Sequence, residues 1–143
     1  MAKRKPRTLA KEIDEAAKLI QRLVRLKASD DNGYCSCVTC GVTGHYKDFD
    51  GGHYFSRRHL RLKLFEENIH PQCTRCNRFL MGDGQTNERY RDFMVDTYGL
   101  RRFKAMEKLT YMPPPKFHKA DVIAFRSEIE ERIKIEKYRI GEI

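Results

Sequence analysis

The sequence contains no uninterrupted apolar run long enough to cross a membrane or to form the core of a signal peptide. Its N-terminus carries the basic stretch Lys3-Arg4-Lys5, and the residues that follow mix charged and apolar side chains. We therefore expect a cytoplasmic protein with no membrane partner.

Several sequence signatures of enzymes are also missing. There is no Walker-type phosphate loop, no Gly-x-Ser-x-Gly turn and no Rossmann glycine pattern. No histidine is followed two residues later by glutamate, and Gln72 separates Pro71 from Cys73, so the pattern of a zinc deaminase is absent too. These gaps argue against nucleotide hydrolysis, acyl transfer, dinucleotide chemistry and deamination.

Acidic residues are in deficit. The chain has 20 Asp and Glu against 29 Lys and Arg, which gives a formal charge of +9 and a pI near 9.4. The basic residues are spread along the whole chain, so a polyanion is the expected partner, and nucleic acid is the usual one. With 143 residues, 40% of them hydrophobic, the chain can form one compact domain with a modest core.

The five cysteines favour metal binding over disulfides, because the chain shows no export signal. Four of them form the pairs Cys37-x-x-Cys40 and Cys73-x-x-Cys76, with 32 residues between the pairs. Paired thiolates at this spacing predict one closed, structural zinc (Zn2+) site. Cys35 is left over and is predicted to be a spare or structural thiol.

Apolar residues recur at helical spacing, and they predict helices over residues 8–28, 73–81, 86–98, 100–109 and 118–140. A short β-hairpin is predicted over residues 46–55 around Gly51-Gly52, and residues 113–115 predict a proline linker. The chain thus divides into a basic N-terminal helix (1–33), a zinc-bound core with its following helices (34–112), and the linker with a C-terminal helix (113–143). The apolar stripe of the last helix could fold back on the first helix or pair two subunits as a homodimer.

The insert between the cysteine pairs contains Asp50-Gly-Gly-His53-Tyr54, and the second pair lies within Asn68-Ile-His-Pro-Gln-Cys-Thr-Arg-Cys-Asn77. Together these residues resemble an HNH, or ββα-metal, nuclease with a treble-clef-like zinc site. Residues 37–99 more closely resemble the phage NinG/Rap recombination proteins, which are structure-specific endonucleases of branched DNA. The resemblance implies an α+β fold with a zinc-stapled ββα-metal (HNH, treble-clef-like) core and flanking α-helices. It also implies the cytoplasm of the host cell, if the chain is phage-encoded.

The resemblance implies a role for each matched position. His53 would be the general base, and Asn68 would brace the loop that helps to orient it. Asn77 would be a ligand of the catalytic ion, Mg2+ or Mn2+.

The resemblance does not assign the second ligand of that ion directly. Many HNH enzymes carry Asp or His immediately before the base, where this chain has Gly52. Asp50, three residues before His53, is the candidate, with His70 and His45 as the alternatives.

A dense basic run follows His53, and two further arginines flank the second cysteine pair. The residues predicted to contact DNA phosphates are Arg57, Arg58, Arg61, Lys63, Arg75 and Arg78.

These observations predict a metal-dependent DNA endonuclease that hydrolyses phosphodiesters, with branched recombination intermediates or junction DNA as the expected partner. The alternative is a non-enzymatic zinc-finger accessory protein that binds nucleic acid, and a weaker one is a structural RNA-binding protein. Both explain the charge and the cysteines, but they leave Asp50, His53 and Asn77 without a role.

Overall fold

The computed structural model describes residues 2–142; Met1 and Ile143, which belong to the first and last predicted segments, lie outside the described residues. Helix α1, Leu9–Lys27, begins where the Thr8 side chain accepts a hydrogen bond from the Lys11 amide. The long C-terminal helix α5, Lys119–Arg139, packs along α1. No helix within residues 2–142 is both long and apolar enough to span a bilayer.

The apolar stripe of α5 is buried within the chain. Ile129 and Ile133 share one core with Ile20 and Leu23 of α1, and Arg126 of α5 binds the buried Glu12 of α1 at 2.7 Å. Of the two predicted arrangements, the structure shows the stripe folded back on the first helix.

The first cysteine pair lies in the connection of a small antiparallel hairpin. Strand β1, Tyr34–Ser36, pairs with β2, Thr43–His45. Between them the Cys37 amide bonds the Val42 carbonyl, and Gly41 has a φ of +79°. Glycine tolerates this left-handed conformation at no steric cost, so the chain can turn sharply after Cys40.

The prediction of a hairpin over residues 46–55 is wrong. Residues 46–48 form a 3-10 turn, and Gly51 and Gly52 lie inside strand β3, Phe49–His53, which pairs with β4, Ile69–Cys73. The two glycines serve close packing instead of a turn, since a Cβ at Gly51 would lie 2.7 Å from the Cα of Gln21 in α1. A Cβ at Gly52 would lie 1.8 Å from the Gln72 side chain.

Helices follow β4 without a long loop. A π-helical turn, Cys76–Leu80, leads to α3, Gly84–Tyr98, and α4, Leu100–Leu109. The helix predicted over residues 73–81 starts later, because Cys73 still pairs with Phe49 as the last residue of β4. The connection from β3 to β4 contains the short helix α2, Leu60–Lys63, and a 3-10 turn, Glu66–Asn68. A second apolar core joins this connection to α3 and α4 through Leu62, Tyr90, Met94, Phe103 and Met106.

Candidate metal centre and the adjoining cleft

The four paired cysteines meet in space, as their spacing predicts. The sulfur atoms of Cys37, Cys40, Cys73 and Cys76 all lie within 4.8 Å of one another. The sulfurs of Cys40 and Cys73 are 3.7 Å apart, and the edge of a tetrahedron of thiolates around zinc is about 3.8 Å for Zn–S bonds of about 2.3 Å. The donor set and its dimensions therefore fit a structural zinc ion.

The ionisation of the four thiols is coupled. Burial opposes the thiolate of Cys37, but hydrogen bonds from the Thr39 hydroxyl and from backbone amides outweigh it and lower its pKa to about 6. Burial raises the pKa of Cys76 to about 12, and the neighbouring Cys73 and Cys37 add to that rise. One thiolate thus disfavours the next, and a bound cation would allow all four sulfurs to ionise together.

The fifth cysteine, Cys35, is buried but lies outside the four-sulfur cluster. Burial raises the pKa of its thiol, so it remains neutral near pH 7. This placement agrees with a structural thiol.

A polar cleft of about 790 Å³ opens beside the cysteine cluster. Its walls include Asp50 and His53 from β3 and Asn77 from the π-helical turn. Cys76 belongs to the sulfur cluster and precedes Asn77 directly, so the metal centre sets the position of Asn77 relative to β3. The structure therefore brings together three of the four side chains that the sequence singled out for catalysis, and the fourth, Asn68, is not among the residues that line the cleft.

His53 is held in one orientation by a backbone contact. Its Nε2 lies 2.9 Å from the carbonyl oxygen of Lys63, and a carbonyl only accepts, so Nε2 carries the proton and Nδ1 keeps its lone pair. Burial lowers the pKa of His53 to about 4, and the cations of Arg57 and Lys63 contribute to that shift. The ring is therefore neutral at pH 7 and can accept a proton at Nδ1.

Asp50 and Asn77 touch each other. The Asn77 Nδ2 donates to Asp50 Oδ2 at 3.1 Å, and the Arg78 guanidinium contacts both carboxylate oxygens of Asp50, at 3.1 and 3.3 Å. The Asp50 carboxylate is only 18% exposed, so a cation beside it is favoured, and in this state Arg78 supplies the positive charge.

Asn68 braces the chain between β3 and β4. Its fully buried amide accepts from the Phe55 amide at 2.8 Å and donates to the carbonyls of Phe55 and Leu62 at 3.0 and 3.1 Å. The carbonyl that holds His53 belongs to Lys63, the residue after Leu62. Asn68 thus fixes the loop that carries the Lys63 carbonyl, the acceptor for His53, and it does not contact the imidazole through any of these hydrogen bonds.

The two alternative metal ligands lie elsewhere. His70 is buried, with its Nδ1 3.1 Å from the Tyr90 hydroxyl and its Nε2 2.7 Å from the Tyr98 hydroxyl. Because Tyr90 donates to the Gly52 carbonyl at 2.6 Å, it accepts from Nδ1–H of His70, and Tyr98 donates to Nε2. His45 lies on β2, with its Nε2 3.8 Å from Glu142. Neither histidine lines the cleft as the structure describes it.

The predicted phosphate contacts fall into two groups. Arg57, Arg58 and Arg75 are exposed, and Arg57 lines the cleft. The others have partners within the chain: Arg78 binds Asp50, Arg61 donates to the Pro113 carbonyl at 2.7 Å, and Lys63 binds Asp14 at 2.5 Å. Arg57, Arg58 and Arg75 are therefore available to a phosphate without the loss of one of these intramolecular contacts.

Sequence reasoning missed two residues that support the site. Gln72 faces Asp50 across the strand pair and is completely buried behind Gly52. Tyr90, also completely buried, fixes the Gly52 carbonyl from α3. A polar residue in a strand and a tyrosine in a helix carry no local signal of such contacts, since both arise from tertiary packing.

The chain matches the family described as Bacteriophage Lambda NinG protein over residues 1–138. It belongs to the NinG family. The NinG match covers the cysteine cluster and the cleft, and it extends beyond the residues 37–99 that carried the sequence resemblance to include α1 and all but the last residue of α5. No curated protein and no solved structure matches the chain.

Proposed function

We propose that this NinG-family protein is a metal-dependent endonuclease that hydrolyses DNA phosphodiesters, with branched recombination intermediates as its substrate. The observation that carries the proposal is the convergence of His53, Asp50 and Asn77 on one polar cleft. Support also comes from the chain order, since β3, β4 and the helical turn follow one another as in a ββα-metal core. The match to the phage NinG family supports the role in recombination.

His53 acts as the general base. The Lys63 carbonyl holds Nε2–H, so Nδ1 is the atom that takes a proton from the attacking water. The low pKa of the half-buried ring, about 4, keeps this nitrogen free of a proton at neutral pH. Asn68 keeps the loop that supplies the Lys63 carbonyl in place.

Asp50 and Asn77 would hold the catalytic divalent ion. A carboxylate and an amide oxygen are hard ligands that suit Mg2+ or Mn2+, and the contact between the two side chains shows that both can reach one point. When bound, the ion supplies positive charge to the scissile phosphate and to the leaving oxygen. Arg78 leaves Asp50 in that state and becomes free to bind a phosphate.

The exposed arginines position the DNA backbone. Arg57 lines the cleft itself, Arg58 follows it in the chain, and Arg75 precedes the cleft residue Asn77 by two positions. Their charges add to the formal charge of +9, which favours phosphates irrespective of base sequence. Recognition by backbone contacts is compatible with a substrate defined by its shape.

The test is cleavage by the purified, zinc-loaded protein. Four-way junctions, flaps and linear duplexes of one sequence are incubated with and without Mg2+ or Mn2+. We expect cleavage only with the divalent ion and fastest on a branched substrate. His53→Ala should lower the maximal rate by about 10² to 10⁴, as expected for the loss of a general base.

A matched control separates catalysis from folding. His118→Ala removes an exposed histidine that does not line the cleft, and it should leave cleavage unchanged. Zinc content and junction binding should be the same in both variants. Junction binding without cleavage under every metal condition would instead favour the accessory-protein alternative.

A further inference from the structure

The side chain of Gln72 contains an unusual buried atom. Gln72 is 0% exposed, and its Oε1 has no hydrogen-bond partner among the described residues. A buried acceptor without a partner is costly, and native proteins usually satisfy such atoms. The partner of this oxygen is therefore to be sought in a second state of its neighbours.

The cysteine cluster determines which way the Gln72 amide points. Gln72 Nε2 lies 3.4 Å from Thr39 Oγ1, and that hydroxyl lies 3.1 Å from the Cys37 sulfur. A zinc-bound Cys37 is a thiolate, which only accepts, so the Thr39 hydroxyl donates its one proton to sulfur. Its oxygen must then accept from Gln72 Nε2, and Gln72 Oε1 is left facing the other way, toward the cleft side.

The atoms that this oxygen faces belong to Gly52 and Asn77. The point where a Cβ would stand on Gly52 lies 1.8 Å from Gln72 Oε1 and 3.0 Å from Asn77 Oδ1. Both amide oxygens therefore lie within 3.0 Å of one point, and two acceptors on the same side are an unfavourable pairing. The Asn77 Nδ2 points to Asp50 instead, so its oxygen is directed away from the carboxylate.

A divalent ion requires the opposite orientation of Asn77. Its Oδ1 must lie on the Asp50 side for both side chains to be ligands of one ion. An amide turned in this way brings its Nδ2 to the position now held by Oδ1, beside the unpartnered oxygen of Gln72. One rotation therefore removes both unfavourable features.

We propose that Gln72 is a positioning residue of the divalent-ion site: its Oε1 accepts a hydrogen bond from Asn77 Nδ2 and holds Asn77 Oδ1 toward the ion beside Asp50. The inference rests on the proposed function, because it takes Asp50 and Asn77 as the ligand pair. It extends that proposal by linking the ligand to the zinc cluster through the chain of contacts from Cys37 through Thr39 and Gln72 to Asn77. It also requires glycine at position 52, since any side chain there would occupy the place of the Gln72 oxygen.

The test is the affinity of the full-length, zinc-loaded protein for Mn2+ without DNA, measured by calorimetry or by electron paramagnetic resonance. Gln72→Met keeps the length of the side chain but lacks the acceptor, and it should bind Mn2+ about 10- to 100-fold more weakly, the usual effect of removing a contact that orients a ligand. Gln72→Glu retains an oxygen acceptor for Asn77, although it loses the amide that donates to Thr39, so it should bind Mn2+ more tightly than Gln72→Met does. Zinc content should be one per chain in both variants.

The outcomes distinguish this inference from the proposed function. Mn2+ binding by Gln72→Met with wild-type affinity, together with loss of binding in Asn77→Ala, would overturn the role of Gln72 alone. Wild-type affinity in Asn77→Ala would overturn the ligand pair itself. If Gln72→Met fails to retain zinc, nuclear magnetic resonance of the wild type decides. Saturation with Mg2+ should produce a through-hydrogen-bond coupling from Asn77 Nδ2 to the Gln72 carbonyl group, and an Asn77 Nδ2 that remains bonded to Asp50 would refute the inference.

Discussion

Gly52→Ala should destabilise the protein through one identifiable contact. The new methyl group would lie 1.8 Å from Gln72 Oε1 and 2.7 Å from Gln72 Cδ, so the amide must retreat by about 1 Å or more from a site that is already close-packed. Gln72 is completely buried and cannot swing into solvent. Overpacking of this kind costs about 1–3 kcal/mol.

The contact can be relieved by a second substitution. Gln72→Ala removes both atoms that the methyl group would strike, so Gly52→Ala should cost less in that background. The loss of unfolding free energy in the double mutant should be smaller than the sum of the losses in the two single mutants by about 1–2 kcal/mol. This difference lies in the usual range of coupling between touching residues.

Gly51→Ala is the matched control. Its methyl group would meet Gln21 of α1 at the Cβ, at 2.6 Å, and at the Cα, at 2.7 Å. Gln21→Ala retains both atoms, so it cannot relieve this clash. The cost of Gly51→Ala should therefore remain nearly the same with or without the Gln21 side chain.

The assay is urea unfolding at a fixed free zinc concentration, so that the contribution of metal binding is equal in all variants. A Gly52→Ala variant as stable as the wild type would contradict the packing described for β3 and β4. The pair Gly52→Ala and Gln72→Ala should be coupled more strongly than the pair Gly51→Ala and Gln21→Ala. Equal coupling in the two pairs would refute the reasoning, because it would show that the clashes are not located at the atoms named.

Three further predictions concern the metal centre, the base and the DNA. Cys76→Ser should abolish stoichiometric zinc binding and unfold the strand pair with its helical turn, whereas Cys35→Ser should retain one zinc per chain by metal analysis. Because the pKa of His53 lies at about 4, the base is already neutral at higher pH, and kcat/KM should show no ionisation of this group between about pH 5.5 and 8; an apparent pKa near 6.5 that disappears in His53→Ala would contradict its burial. Arg57→Ala should reduce the slope of log affinity for DNA against log salt by about one. Lys134→Ala on α5, a lysine paired with Glu131, should leave that slope unchanged.

Local patterns predicted much of the helical part of the fold. The helix predicted over residues 100–109 coincides with α4, and the helices predicted over residues 8–28 and 118–140 differ from α1 and α5 by one residue at each end. Helical hydrogen bonds join residues four apart, so period and capping residues within a short window are sufficient.

The strand pairing could not be predicted in the same way. β3 and β4 lie 15 residues apart in the chain, and a glycine pair inside a strand has the same local signature as a turn. Only α1 and Gln72, packed against Gly51 and Gly52, explain why both positions are glycine. The prediction of a hairpin at this point was wrong because its cause lies in distant segments.

The sequence by itself determined the four cysteines of the candidate metal site, the basic character and the candidates His53, Asp50 and Asn77. The spacing of two cysteine pairs and an ordered motif are properties of the chain alone. The tertiary structure decided the rest. It placed the candidates on one cleft, selected Nδ1 of His53 as the free nitrogen through the Lys63 carbonyl, and left His70 between two tyrosines. These outcomes depend on contacts between segments far apart in sequence, where the donor, the acceptor and the burial of each group come from different elements.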